Sequence, residues 1–200
     1  MSRSINNERM KRSLRIATAL LAAFLLGTVL AQEDVERQGY FEVRSAVAQE
    51  IDGVHTLDAR LQLVLSSEAL AALESGVTLT IELQMQVIRV RRFIVDSVEA
   101  ELAIRYELEY RPLSQRYIVK NLNSGDQDSF ATLYSALNSL GRVQGLPVID
   151  DELLLPDRTY RLRLRAMLNT QQYPAPLRLL FFWRGQWQLQ SEWFEWLLER

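Results

Sequence analysis

The chain has 200 residues, 48% of them hydrophobic, with 23 basic against 25 acidic side chains, one histidine and no cysteine. That length holds one domain with a real core, and the missing cysteine excludes disulfides, thiolate metal centres, thiol nucleophiles and the lipid-modified cysteine of bacterial lipoproteins. A single histidine likewise excludes a His-rich metal site or a two-histidine relay, so neither a cofactor nor a metal is expected.

A basic start (Arg3, Arg9, Lys11, Arg12, Arg15) runs into an apolar stretch from Ile16 to Leu30 and closes on Val29-Leu30-Ala31 before polar Gln32-Glu33-Asp34. This is the pattern of a signal peptide over residues 1–31, and the apolar run is shorter than the roughly 20 residues that span a bilayer. The predicted product is periplasmic, starting at Gln32; if the leader is retained, it anchors the chain to the inner membrane. Removing five of the basic residues and one acidic residue leaves 18 against 24 over residues 32–200, an acidic body. Nucleic-acid binding, which needs a basic surface, is disfavoured.

Period-two alternation predicts strands through most of residues 32–200, read as a single domain. Phe41, Val43, Ser45, Val47 and Ile51, the turn at Asp52-Gly53, and Leu57, Ala59, Leu61, Leu63 and Leu65 read as a long hairpin. Ser66 or Ser67 caps a short helix over Glu68 to Ser75, which Gly76 ends. Val77 through Val87 and Val98 through Tyr110 form the next two strands, the second ended by Pro112. A strand from Tyr117 to Leu122 turns at Asn123-Ser124-Gly125-Asp126, and Thr132 caps a second helix bearing Leu133, Ala136, Leu137 and Leu140. Leu146 to Leu155 reads as a loop, Tyr160 to Leu168 as a strand, and Trp187 to Leu197 as the last strand, with Pro174 and Pro176 breaking the chain between them. The predicted fold is mainly β, an antiparallel, immunoglobulin-like β-sandwich with two short covering helices.

Ser114-Gln115-Arg116-Tyr117-Ile118-Val119 with Asn121-Leu122-Asn123-Ser124-Gly125, then Ser129-Phe130-Ala131-Thr132-Leu133 and Ser191-Glu192-Trp193-Phe194-Glu195-Trp196, resemble a proteobacterial domain-of-unknown-function family numbered four-three-nine-zero. The resemblance implies small exported proteins without assigned activity and points to a membrane sensor kinase as a partner. It carries no catalytic residue to this chain.

Residue by residue, enzymatic chemistry finds little support. His55 lies near a hairpin turn and is expected as a solvated surface side chain. There is no G-x-S-x-G elbow and no Ser-x-x-Lys, and Lys120 is the one lysine beyond the leader. Asn121, Asn123, Gly125 and Asp126 imitate a calcium loop, but Thr132 stands where its bidentate Glu belongs, so a polar hairpin turn is the better reading. Glu192 and Glu195, three apart on a strand, face opposite ways and do not flank a glycosidic bond.

Glu99, Glu101, Glu107 and Glu109 share one strand face with Arg105, and Arg161, Arg163 and Arg165 line another. If those strands are neighbours, the rows pair across them; otherwise the arginines, with Arg89, Arg91 and Arg92, form an anion-binding or docking stripe. All four tryptophans fall between Trp183 and Trp196. Trp187, Leu189 and Trp193 are predicted on one face, and Phe194 and Trp196 on the other. The function expected is a non-enzymatic envelope module that docks a protein partner. Its candidate contact residues are Phe181, Phe182, Trp183, Trp187, Trp193, Trp196, Arg161, Arg163 and Arg165. The alternatives are a carrier, with a cavity between the sheets for an apolar or lipid-like ligand, and an enzyme built on a concave cluster of carboxylates.

Overall fold

A computed structural model describes residues 37–169 and 189–199, all within the unit Arg37–Arg200. The leader lies outside the described residues, as do Phe181, Phe182, Trp183 and Trp187. The first alternation forms β1 (Tyr40–Ile51) and β2 (Val54–Val64), joined at Asp52-Gly53. Both turn residues have positive φ, +52° and +80°, as a two-residue turn matched to strand twist requires. Helix α1 (Ser67–Glu74) follows, with the Ser66 hydroxyl accepting from the Ala69 N–H at 3.2 Å.

Four consecutive strands then meander: β3 (Leu79–Arg89), β4 (Ser97–Arg111), β5 (Arg116–Asn121) and β6 (Gln127–Phe130). Helix α2 (Leu133–Leu140), capped by Thr132, leads to β7 (Arg142–Asp150), a 3-10 turn (Asp151–Leu153), β8 (Tyr160–Asn169) and β9 (Phe194–Leu197). Every pairing is antiparallel. One sheet runs β1-β2-β7 and the other β6-β5-β4-β3-β8-β9.

The two sheets enclose one core in which Leu57, Leu79, Ile81, Leu108 and Leu162 are completely buried, so the architecture is the expected β-sandwich with two helices. Likeness to immunoglobulin domains stops at that architecture, because the larger sheet is built on a meander rather than a Greek key. The β1–β2 turn, the β3–β4 tip and the 3-10 turn share one end: Asp151 N–H bonds the Gly53 carbonyl at 2.8 Å, and Arg89 pairs with Tyr160. Both helices and the β4–β5 turn belong to the other end.

Three expectations are corrected here. Residues 146–150 are not loop but the second half of β7. Pro147 is tolerated because β7 is an edge strand, and Gly145, at φ +58°, sits at an irregularity where its N–H bonds Asp58 Oδ1 at 2.7 Å. A bulge between Val43 and Ser45 turns Ala46 and Ala48 to the core and Val47 to solvent.

The last strand is also shorter than its alternation. Gln190 lies opposite Met167 and Phe194 opposite Leu164, so four steps on one side match three on the other. That extra residue reverses the phase: Leu189 is in the core, while Trp193 faces outward instead of sharing its side. Ser191 anchors the irregular stretch by exchanging bonds with Ala166, N–H to carbonyl at 2.8 Å and Ala166 N–H to its hydroxyl at 3.0 Å.

Candidate functional site

The outer face of the larger sheet carries the arginine row. β8 alternates buried and half-buried positions, placing Tyr160, Leu162, Leu164 and Ala166 inward and Arg161, Arg163 and Arg165 outward. β3 separates β8 from β4, so the arginines do not meet the glutamate row of β4. Their partners are the amides of β3: Arg163 Nε donates to Gln86 Oε1 at 2.7 Å and Arg165 Nε to Gln84 Oε1 at 2.8 Å. Arg161 pairs with Asp96 at 2.7 Å and with Glu195 at 3.1 Å.

Trp193 lies over this row, its ring centroid 4.4 Å from the Arg163 guanidinium carbon and 4.3 Å from that of Arg165. Two such cation–π contacts are worth about 0.5–1 kcal/mol each at an exposed site. Of the candidate contact residues, the structure thus gathers Arg161, Arg163, Arg165 and Trp193. Trp196 is on the opposite side, packed with Phe194 against the core, the two rings 5.8 Å apart.

Glu82 organises the neighbouring part of that face. Only 4% exposed, it accepts from Arg105 at 3.0 Å, Asn169 at 2.9 Å and Gln84 at 2.6 Å. Burial pushes its carboxyl upward, but these hydrogen bonds and the Arg105 charge outweigh burial and hold it below the ordinary carboxylate range. It is the one buried carboxylate among the described residues, and its oxygens are taken up in structure.

His55 is a correction: it is fully buried rather than solvated. The 3-10 turn after β7 folds against it, and its Nε2 lies 2.9 Å from Asp151 Oδ1. The Asn121–Asp126 turn spends its polar groups on its own chain. Asn121 Oδ1 accepts from the N–H groups of Asn123 and Ser124, and Asn123 bonds Arg105 N–H and the Ala103 carbonyl. No group of three or more metal-ligating side chains occurs among the described residues, and no helix there is long and apolar enough to cross a membrane.

The feature that sequence reasoning missed is the tip between β3 and β4. Phe93, Ile94 and Val95 are 91%, 70% and 86% exposed, although nothing in a soluble turn calls for three large apolar side chains. Its signal was present: Arg91-Arg92-Phe93-Ile94-Val95 interrupts two clean alternations with no glycine, proline or asparagine. The base of the tip is pinned. Asp96 accepts from Arg91 N–H at 2.9 Å and from the Arg161 guanidinium, and Val90 N–H bonds the Thr159 carbonyl at 2.9 Å.

A bulge between Val87 and Ile88 turns Val98 outward beside the tip, and Ile51, Leu153 and Leu155 are exposed at the same end. Arg89, Arg91, Arg92 and Arg158 line a recess of 720 Å³ against Phe93 and Ile94, with Asp157 the one acid at its wall among the described residues. Arg89 is engaged by Glu99 at 3.0 Å; the side chains of Arg91, Arg92 and Arg158 have no ion-pair partner among the described residues.

No curated protein and no solved structure matches the chain. The model of the family described as Domain of unknown function (DUF4390) matches residues 39–197, from the first strand to the end of the last, and the chain belongs to that family.

Proposed function

We propose that this protein is a non-enzymatic, exported accessory module of the cell envelope that works by contact, and that its working surface is the end of the sandwich bearing the β3–β4 tip. The observation that carries this reading is the exposed run Phe93-Ile94-Val95 on a pinned base. Apolar surface of this kind, held out by structure and ringed by arginines, is characteristic of a docking site. The arginine row of β8 is the weaker candidate because its guanidinium groups already serve Gln84, Gln86, Asp96, Glu195 and Trp193. Support for a role without catalysis comes from Glu82, whose buried carboxylate is spent on Arg105, Asn169 and Gln84. The recess by the tip is an open, arginine-lined hollow, unlike the apolar cavity between sheets that a carrier needs.

The test is a photoreactive amino acid placed at position 94, and separately at Leu113 on the β4–β5 turn, in cells producing the full chain. An adduct specific to position 94, on a product recovered from the envelope with Gln32 at its amino terminus, is expected. Adducts at neither position, or a cytosolic product with its leader intact, would overturn the reading.

A further inference from the structure

We infer that the β3–β4 tip docks on the surface of an anionic phospholipid bilayer, with Phe93, Ile94 and Val95 entering the interface and Arg91, Arg92 and Arg158 engaging lipid phosphates. This deepens the proposed function and rests on it. Three observations select a bilayer over a folded partner.

The first is shape. The apolar side chains stand together on one short loop, residues 90–96 between β3 and β4, whereas a stable protein interface takes roughly 800 Å² from each side with a flat, well-packed centre. A short apolar loop suits a fluid phase that closes around whatever enters it.

The second is the order of residues. Aromatic and branched side chains are the most exposed part of the loop, and arginines flank them, Arg91 and Arg92 in the loop just before them and Arg158 on the adjoining loop. An insertion at shallow depth puts the first group among the acyl chains and the second at headgroup level, where guanidinium forks pair with phosphate oxygens. Arg91, Arg92 and Arg158 are not engaged in ion pairs of their own among the described residues, so pairing with phosphate breaks no existing bridge.

The third is charge. Residues 32–200 carry 18 basic and 24 acidic side chains, so an anionic surface repels the body as a whole and attracts this basic patch. That contrast orients the molecule tip-first. The recess stays basic beside its acids: Asp96 is held by Arg161 and Arg91 N–H, Glu99 by Arg89, and Asp157 stands against three arginines, Arg91, Arg92 and Arg158.

Since the chain has no cysteine, a single introduced thiol reports on one place. Full-length Ile94→Cys and Leu113→Cys proteins, each labelled with an environment-sensitive nitrobenzoxadiazole dye, are mixed with vesicles of equimolar phosphatidylglycerol and phosphatidylcholine, or of phosphatidylcholine alone. The apolar leader can itself hold a vesicle, so the readout is the local dye and not co-sedimentation.

The dye at position 94 is expected to brighten and shift to the blue on the anionic vesicles, to respond about tenfold more weakly on phosphatidylcholine alone, and to lose the response in high salt. Adding Arg91→Glu with Arg92→Glu should weaken the response by about tenfold or more with far-UV circular dichroism unchanged. The dye at position 113 should not respond.

An unresponsive position 94, equal responses on the two vesicle types, or equal responses at 94 and 113 would overturn the inference. If the dye at 94 stays silent while the photoreactive group at 94 yields a protein adduct in cells, docking stands and the bilayer falls; with no adduct of either kind, both fall.

Discussion

Glu82 shows how a single side chain can look like a functional group and act as a structural one. Its folded carboxyl titrates below its unfolded value, so its stabilisation is full above the ordinary carboxylate range and is lost as pH falls through the folded value. Glu82→Gln is therefore expected to cost about 1–3 kcal/mol at neutral pH, because the amide removes the charge that pairs with Arg105 and replaces one of the two acceptor oxygens with a donor. The gap from the unaltered protein should close on acidification below about pH 4 in urea melts. A gap that stays constant with pH would show that the charge of Glu82 contributes nothing. His55 makes the complementary point. Its neighbours in sequence suggest a wet hairpin end, whereas the return of Asp151, 96 residues later, brings a carboxylate onto the buried ring. Local pattern does not carry that information.

At the scale of elements, the sequence was legible wherever a periodic pattern was backed by local chemistry. The Asp52-Gly53 turn, the Ser66 and Thr132 caps, and the inward faces of β3 and β8 follow from φ preference, side-chain oxygens and alternation. It was not legible where one residue is inserted. The bulges at Arg44 and before Phe194 each reverse the phase, and the second moves Trp193 from the face it was expected to share with Leu189 onto Arg163 and Arg165. The order of strands was equally hidden: both charged rows face outward as alternation requires, yet β3 stands between them.

Packing between elements gives a further prediction. Gly141 ends α2 with its carbonyl accepting from Leu61 N–H at 2.7 Å, and a methyl group there would collide with the Leu61 carbonyl. Gly141→Ala is expected to destabilise the fold by about 1–3 kcal/mol through this overpacking, read as a lowered thermal midpoint. An unchanged midpoint would mean that α2 can lift from β2 at little cost.

For the whole molecule, the two ends of the sandwich are chemically unlike. One carries the helices and the β4–β5 turn, with Leu113 and Tyr134 exposed singly. The other brings the β1–β2 turn, the 3-10 turn and the β3–β4 tip together, with Ile51, Phe93, Ile94, Val95 and Leu153 in solvent. The acidic body and basic tip make that asymmetry directional, as the proposed docking requires. Composition could reveal the acidic body, but not that three apolar residues and two arginines share the loop of a hairpin.

Where the molecule makes contact is measured most directly by amide hydrogen exchange on the full chain, alone and with isolated envelope membranes, because every backbone position reports without substitution. The account predicts slowed exchange over residues 90–98, with residues 161–165 and 193 and the turn at 112–115 unchanged. Slowing confined to residues 161–165 and 193, with the tip exchanging as freely as in solution, would contradict it.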